Sequence, residues 1–289
     1  MAGQHTSAAE GPEIAQIQGL TGREPALRGF DLLSYSAATI TANARPDTAR
    51  ELGNNRGTVE AAQRWWREGG LVTVCWHWFA PTGGSDKTFY TKNTSCDVRR
   101  VVMPGTPEHA AALHDIDRIA DALGVLDAAG VPVLWRPLHE ADGGWFWWGA
   151  YGPEPYLELY RLLWNRLTTR GLHNLIWVWN APHPDWYPGD AVVDIAGDDI
   201  YADAGNYGSL ALSYQYAARL AGGRKMVALT ENGAIPDPDR LIADDARWLW
   251  FMPWWGGGAT FGRSNSPDHV AHVYHHPYVL TREDLPRWT

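Results

Sequence analysis

Four short stretches set chemistry-bearing side chains directly after apolar runs: Trp76-His77-Trp78, His139-Glu140, Asp199-Ile200-Tyr201 and Thr230-Glu231-Asn232. A charge there is expensive to place unless something uses it. Glu140 and Glu231 are the pair with the clearest chemistry. Two carboxylates facing each other across a groove can divide their roles, one staying ionised as a nucleophile while its charge and partial burial keep the other protonated. That is the equipment for cleaving a glycosidic bond. Either Glu alone reads equally well as a helix-terminal charge or a solvated loop residue; the two together at the ends of Trp-rich segments do not.

The aromatic residues point the same way. The chain has 17 Trp against 6 Phe, and core packing has no reason to prefer the residue whose indole N–H needs a partner. A wet groove that stacks flat ligands does. The run Gly143-Gly144-Trp145-Phe146-Trp147-Trp148-Gly149 is too dense and too glycine-bounded for an ordinary helix. One reading is a buried cluster propping a loop; the other sets at least one indole under a sugar ring.

These residues need strands to carry them. Short apolar runs at residues 71–79, 131–138, 174–180, 193–201, 225–231 and 248–254 read as strands, with a shorter one at 26–31. Helical periodicity occupies 59–68, 108–129, 154–169 and 208–221 between them. This alternation predicts βα units and a parallel sheet. Pro137 offers no ladder donor, so pairing is expected to stop near Arg136, leaving His139 and Glu140 above the rim. Eight strands would close a (β/α)₈ TIM barrel, whose active site lies at the carboxyl ends of the strands. Gly3-Gln4-His5 then supplies the end of a first strand truncated at the N-terminus, followed by a short helix near 13–19. Residues 80–107 read as a long loop.

At 289 residues the chain exceeds the usual domain size, yet barrels of about 250 residues fold as one unit, and no linker or repeat marks a boundary. A single catalytic domain over 1–289 is expected. Hydrophobic residues make up 45% and charged ones 20%, which excludes bulk disorder. The net charge of −9 and the absence of a Lys/Arg run argue against nucleic acid. No stretch suits a bilayer, and the N-terminus lacks the parts of a signal peptide.

The segment from Trp135 to Gly149, WRPLHEADGGWFWWG, resembles the acid/base signature of glycoside hydrolase family 26, whose best-known members are endo-β-1,4-mannanases. Gly3-Gln4-His5, Phe30-Asp31, Trp76-His77-Trp78, the run from Asn174 to Trp179, Tyr187-Pro188-Gly189-Asp190, Asp199-Ile200-Tyr201 and the run from Leu229 to Gly233 follow in the family's order. The resemblance implies a (β/α)₈ barrel with Glu140 as acid/base after strand four and Glu231 as nucleophile after strand seven. It further implies that His77 and His139 line the subsite of the attacked sugar, and that Tyr201 orients the nucleophile. Trp145 and Trp254 would form aromatic walls, with Trp179 a further substrate-binding residue. Ala141-Asp142 departs from a frequent Met-Asn pair, and Pro253-Trp254-Trp255 leaves open which indole faces the substrate.

The implied reaction is retaining, endo-acting hydrolysis of β-1,4-mannosidic bonds in mannan, galactomannan or glucomannan. Retention needs carboxyl groups about 5–5.5 Å apart, against roughly 6.5–9.5 Å for inversion. β-1,3-Xylan or β-1,3-1,4-glucan are alternative substrates for the same barrel, and a non-catalytic glycan-binding protein is the rival from another class. The chemistry needs no metal or organic cofactor, the default is a monomer, and the resemblance implies a secreted protein. His272, His275 and His276 form a patch with no acidic partner at ligand spacing and read as surface residues beside the last helix. Cys75 and Cys96 fit no metal spacing; they are two free thiols or one bridge closing the intervening loop.

Overall fold

The structure is a computed structural model that describes residues 1–6, 11–36, 46–85, 87–255 and 263–287. In chain order its strands and α-helices are β1 (Gly3–His5), α1 (Pro12–Thr21), β2 (Leu27–Asp31), α2 (Pro46–Asn54), α3 (Thr58–Arg67), β3 (Leu71–Cys75), α4 (Val98–Val101), α5 (Pro107–Ala128), β4 (Val133–Arg136), α6 (Pro153–Thr169), β5 (Leu175–Trp179), β6 (Ile195–Ile200), α7 (Ala211–Leu220), β7 (Met226–Asn232), α8 (Pro238–Ala243) and α9 (Pro267–His275). This is an α/β chain with seven strands among the described residues. No described helix is long and apolar enough to cross a membrane. The strands expected at 26–31, 71–79, 131–138, 174–180 and 193–201 are present in shorter form, and those at 3–5 and 225–231 and the expected helices lie within three residues of their expected ends. Residues 80–107, of which Asp86 lies outside the described residues, carry the short α4 where only a loop was expected.

Two compact units divide the chain. The first comprises Met1–Phe30, Glu60–Thr73 and Ile195–Thr289. Here β1 pairs parallel to β2, and β6 pairs parallel to β7. The expected strand at 248–254 is a bridged segment instead. Toward β7, Leu249 donates to the Val227 carbonyl (2.8 Å) and Trp254 to that of Asn232 (3.1 Å), while Asn232 donates to that of Met252 (3.1 Å). Toward β1, Phe251 bridges Ala2 and His5 donates to the Pro253 carbonyl (3.1 Å). Pro253 has no N–H to give, so a regular ladder cannot form through it. The approach to β1 is close: a Cβ on Gly3 would stand 2.5 Å from the Phe251 carbonyl oxygen. Ile17 of α1, Val227 and Leu229 of β7, and Val270, Val273 and Tyr274 of α9 share one apolar core with Phe251.

The second unit comprises Asp31–Val59 and Val74–Asp194, and β4 pairs parallel to β5 within it. Its long helices begin with strong start signals. Thr106 caps α5 by accepting from the His109 N–H, with Pro107 in the first turn, where its missing N–H costs nothing. Ile116, Ile119, Leu123 and Leu126 of α5, and Tyr156, Leu159, Tyr160, Leu163 and Leu167 of α6, are buried at three- and four-residue spacing. Those are the apolar stripes of two helices covering a sheet. The Tyr160 ring lies 5.7 Å from that of Trp177 on β5. A bidentate ion pair of Arg166 with Asp117 (2.7 and 2.8 Å) clasps α6 to α5. Cys75 and Cys96 are both buried and form no disulfide, and burial pushes the Cys96 thiol up from its ordinary pKa.

Candidate active site

β4 ends at Arg136, as the proline after it predicts. The chain then turns sharply: Leu138 (φ 52°) and Glu140 (φ 53°) both occupy the left-handed region, which costs a residue with a Cβ about 1–2 kcal/mol. Surrounding bonds hold this conformation. The Glu140 N–H donates to the Asn180 carbonyl (2.7 Å), and the Trp148 indole donates to the His139 carbonyl (2.9 Å). Arg136 Nη1 donates to Asn180 Oδ1 (2.9 Å), so Asn180, just past β5, fixes both ends of the turn. Backbone strain of this kind persists only where the surroundings over-determine it, and it clusters at functional sites.

The aromatic loop divides between the two expected roles. Trp147 and Trp148 are fully buried, and their indoles donate to the Trp78 and His139 carbonyls; they are the props. Trp145 is 49% exposed, and its Nε1 donates to Glu140 Oε2 at 2.8 Å. Its ring lies over Gly143, where a Cβ would come within about 2 Å of the indole. Glycine at 143 is therefore what lets Trp145 lie flat beside the carboxylate.

His77 and His139 meet in the same unit. β3 stops at Cys75 because the His77 N–H turns to a side chain, donating to Asp31 Oδ1 at 3.1 Å. The other Asp31 oxygen lies 2.6 Å from His77 Nδ1, so that nitrogen carries the proton. His77 Nε2 faces His139 Nε2 at 3.2 Å. Only one hydrogen fits between two such nitrogens, which couples the tautomers of the two rings. Asp31, Cys75 and His77 offer ligand atoms within 4.8 Å of one another, but Asp31 is committed to the Leu33 N–H (2.9 Å) and to His77, an arrangement of hydrogen bonds.

The other unit carries Glu231, buried near the end of β7. The β6–β7 register slips between Asp198 and Asp199: Asp198 pairs with Leu229 and Asp199 with Glu231, leaving Thr230 as the extra residue. A bulge of this kind re-aims the side chain that follows it. The Thr230 hydroxyl lies 2.6 Å from Asp199 Oδ1 and 3.1 Å from the Asp198 carbonyl, pinning the bulge. Tyr201, just past β6 and 54% exposed, donates its hydroxyl to Glu231 Oε2 at 2.6 Å. A hydrogen bond donated to a carboxylate oxygen favours the ionised form. Trp254 is half-buried and stacks on His5 with ring centroids 4.0 Å apart.

Within one unit the structure thus groups His77, His139, Glu140 and Trp145, and within the other Tyr201, Glu231 and Trp254. Trp179 differs from expectation. It is fully buried, edge-on to Tyr187 at 4.9 Å, and packs the end of β5 without an open face. Sequence reading missed Asp31, Asn180 and Thr230 as positioning residues. Asp31 carried a signal, a carboxylate ending the apolar run 26–31, but not its partner.

The sequence profile of glycosyl hydrolase family 26 matches residues 1–284. The chain belongs to this family. Among curated family relatives it is 44% identical over 280 residues to a mannan endo-1,4-β-mannosidase of Thermothelomyces thermophilus, covering 93% of this chain and 55% of that protein. It is 34% identical to mannan endo-1,4-β-mannosidase B of Piromyces sp., covering 92% and 45%. The chain spans about half the length of the curated relatives it matches. Of solved family 26 structures, the Podospora anserina GH26-CBM35 β-(1,4)-mannanase superposes with a TM-score of 0.88 at 40% identity, over 98% of this chain and 62% of that one. A β-mannanase from a symbiotic protist of the termite Reticulitermes speratus, solved with a gluco-manno-oligosaccharide, gives 0.88 at 33% identity, over 100% and 90%.

Proposed function

We propose that this chain is the catalytic domain of a retaining, endo-acting β-1,4-mannanase working by double displacement. The observation that carries the reading is that each family glutamate has a dedicated hydrogen-bond donor on one oxygen, Trp145 on Glu140 and Tyr201 on Glu231. In this scheme Glu231 attacks the anomeric carbon, and its bond to that carbon forms as the glycosidic C–O bond breaks. Glu140 protonates the departing oxygen, then takes a proton from the water that releases the sugar. The hydroxyl of Tyr201 holds the attacking carboxylate in one orientation. The paired imidazoles of His77 and His139 line the subsite of the sugar being attacked, and Trp145 and Trp254 supply apolar faces for its C–H bonds. The fold that accompanies this reading is a (β/α)₈ barrel in which residues 249–254 serve as the eighth strand.

The names of the relatives favour mannan as the glycan. A polymer of this size does not cross a membrane, so the reading puts the work outside the cell, done by a monomer without a cofactor. Reducing-sugar release from locust bean gum, barley glucan and β-1,3-xylan, measured side by side, tests the substrate. The galactomannan is expected to be cut fastest; preferential release from either other glycan would reassign it. Glu140→Ala and Glu231→Ala separate the roles. The first loses polysaccharide hydrolysis yet keeps the first step on an aryl glycoside with a good leaving group, which needs little protonation. The second loses both.

A further inference from the structure

The histidines near the C-terminus do have acidic partners, brought to them by the fold. His272 and His276 lie one turn apart at the end of α9. Asp237, the N-cap of α8, and Asp239 in its first turn come up beside them. His272 Nε2 stands 3.6 Å from Asp237 Oδ2 and 3.6 Å from Asp239 Oδ2. Both gaps exceed a hydrogen bond, so this is not an imidazolium clasped by a carboxylate. In a tetrahedral zinc site, with Zn–N and Zn–O bonds of about 2.0–2.2 Å, neighbouring ligand atoms sit about 3.4 Å apart. The two equal gaps match that edge length, and all three ligand atoms lie within 4.8 Å of one another.

The same groups are fixed from behind. Asp237 Oδ1 accepts the N–H groups of Asp239 (2.9 Å) and Arg240 (3.2 Å), which leaves Oδ2 as the oxygen turned to His272. His276 Nδ1 accepts the Tyr278 N–H (3.1 Å), so its ring proton sits on Nε2, which donates to Asp239 Oδ1 at 3.2 Å. A ligating carboxylate oriented by an outer hydrogen bond is the usual support around a metal. We propose that Asp237, Asp239 and His272 bind one divalent transition-metal ion of the zinc type, with water in the fourth position and His276 as the positioning residue. Bound there, the ion ties α8, which follows the Glu231 strand, to α9. The proposal is independent of the glycan reading.

Isothermal titration of the full chain, without a polyhistidine tag, with zinc sulfate tests this alongside thermal unfolding with and without zinc. One saturable ion per chain and a zinc-dependent rise in Tm are expected. His272→Ala removes the saturable event, and His276→Ala weakens it by about 10–100-fold. His275→Ala, whose ring bonds the Ala271 carbonyl instead, binds as the parent does. Circular dichroism of the zinc-free variants establishes that each is folded. No saturable binding, unchanged affinity in folded His272→Ala, or equal loss in folded His275→Ala overturns the proposal.

Discussion

Tyr201 donates its hydroxyl to Glu231 Oε2 across 2.6 Å, and the register slip at Thr230 turns Glu231 toward it. The tyrosine is 54% exposed, so it contributes little to the core. Its interaction is with the carboxylate. Tyr201→Phe deletes one hydrogen bond to a charged group, about 1.5–3 kcal/mol. The expected outcome is a fall in kcat of about 10–100-fold with KM nearly unchanged. Steady-state kinetics on galactomannan checks this; a loss confined to KM would assign Tyr201 to substrate binding alone.

Trp145 combines an exposed face with a hydrogen bond to Glu140. Trp145→Phe keeps an aromatic face and removes the donor, whereas Trp145→Ala removes both. The phenylalanine variant should retain most of its affinity for mannohexaose and lose about tenfold in kcat/KM, near the lower end for a bond to a charged group. The alanine variant should lose affinity as well. Calorimetry on both, in a Glu140→Gln background that does not turn over, separates the contributions. Equal affinities in the two variants would remove the stacking role.

Asp31 sets the ring of His77, and through it that of His139. Asp31→Asn offers an amide N–H where Nδ1 of His77 now donates, which drives the ring proton to Nε2 and against His139. About tenfold or more should be lost in kcat/KM, together with 1–3 kcal/mol of stability for disturbing a buried polar group. Nitrogen NMR shifts of the two imidazoles report the tautomer directly. Parent-like shifts and full activity in this variant would discard the coupling.

The Asp117–Arg166 clasp gives a pH dependence. Hydrogen bonds from Arg166 hold the Asp117 carboxyl below its ordinary value of 3.8. With the folded pKa below the unfolded one, the contribution is complete above 3.8 and is lost as pH falls through the folded pKa. Both side chains are partly exposed, so at neutral pH Asp117→Asn should cost no more than about 1 kcal/mol. Urea unfolding of parent and variant along an acid series should show the two midpoints converging. A gap that widens on acidification would reverse the assignment.

Much of the fold was legible in the sequence. Apolar runs located the strands, and Pro137 placed the end of β4 at Arg136 because a residue without an N–H cannot extend a ladder. The glycine-bounded tryptophans marked the loop beside Glu140. Other features were not readable. No spacing rule says that Leu138 and Glu140 would take positive φ, since tertiary bonds from Asn180 and Trp148 impose it. Trp177 and Trp179 share one strand face by period two, but the pattern does not say that Trp179 is sealed off. Pro253 interrupts the last strand for the same reason that Pro137 ends β4. Asp31 with His77, and Asp237 with His272, are pairs far apart in sequence that meet through topology.

The central claim is that Glu231 forms a covalent bond to the sugar. Incubation with a 2-deoxy-2-fluoro-β-mannosyl fluoride, followed by proteolysis and mass spectrometry, tests it most directly, because the fluorine at C2 slows both steps while the good leaving group restores the rate of the first, so that the intermediate accumulates. The account predicts one fluoromannosyl adduct on the peptide containing Glu231 and none in Glu231→Ala. An adduct on Glu140, or turnover with no adduct and products of inverted anomeric configuration, would contradict it.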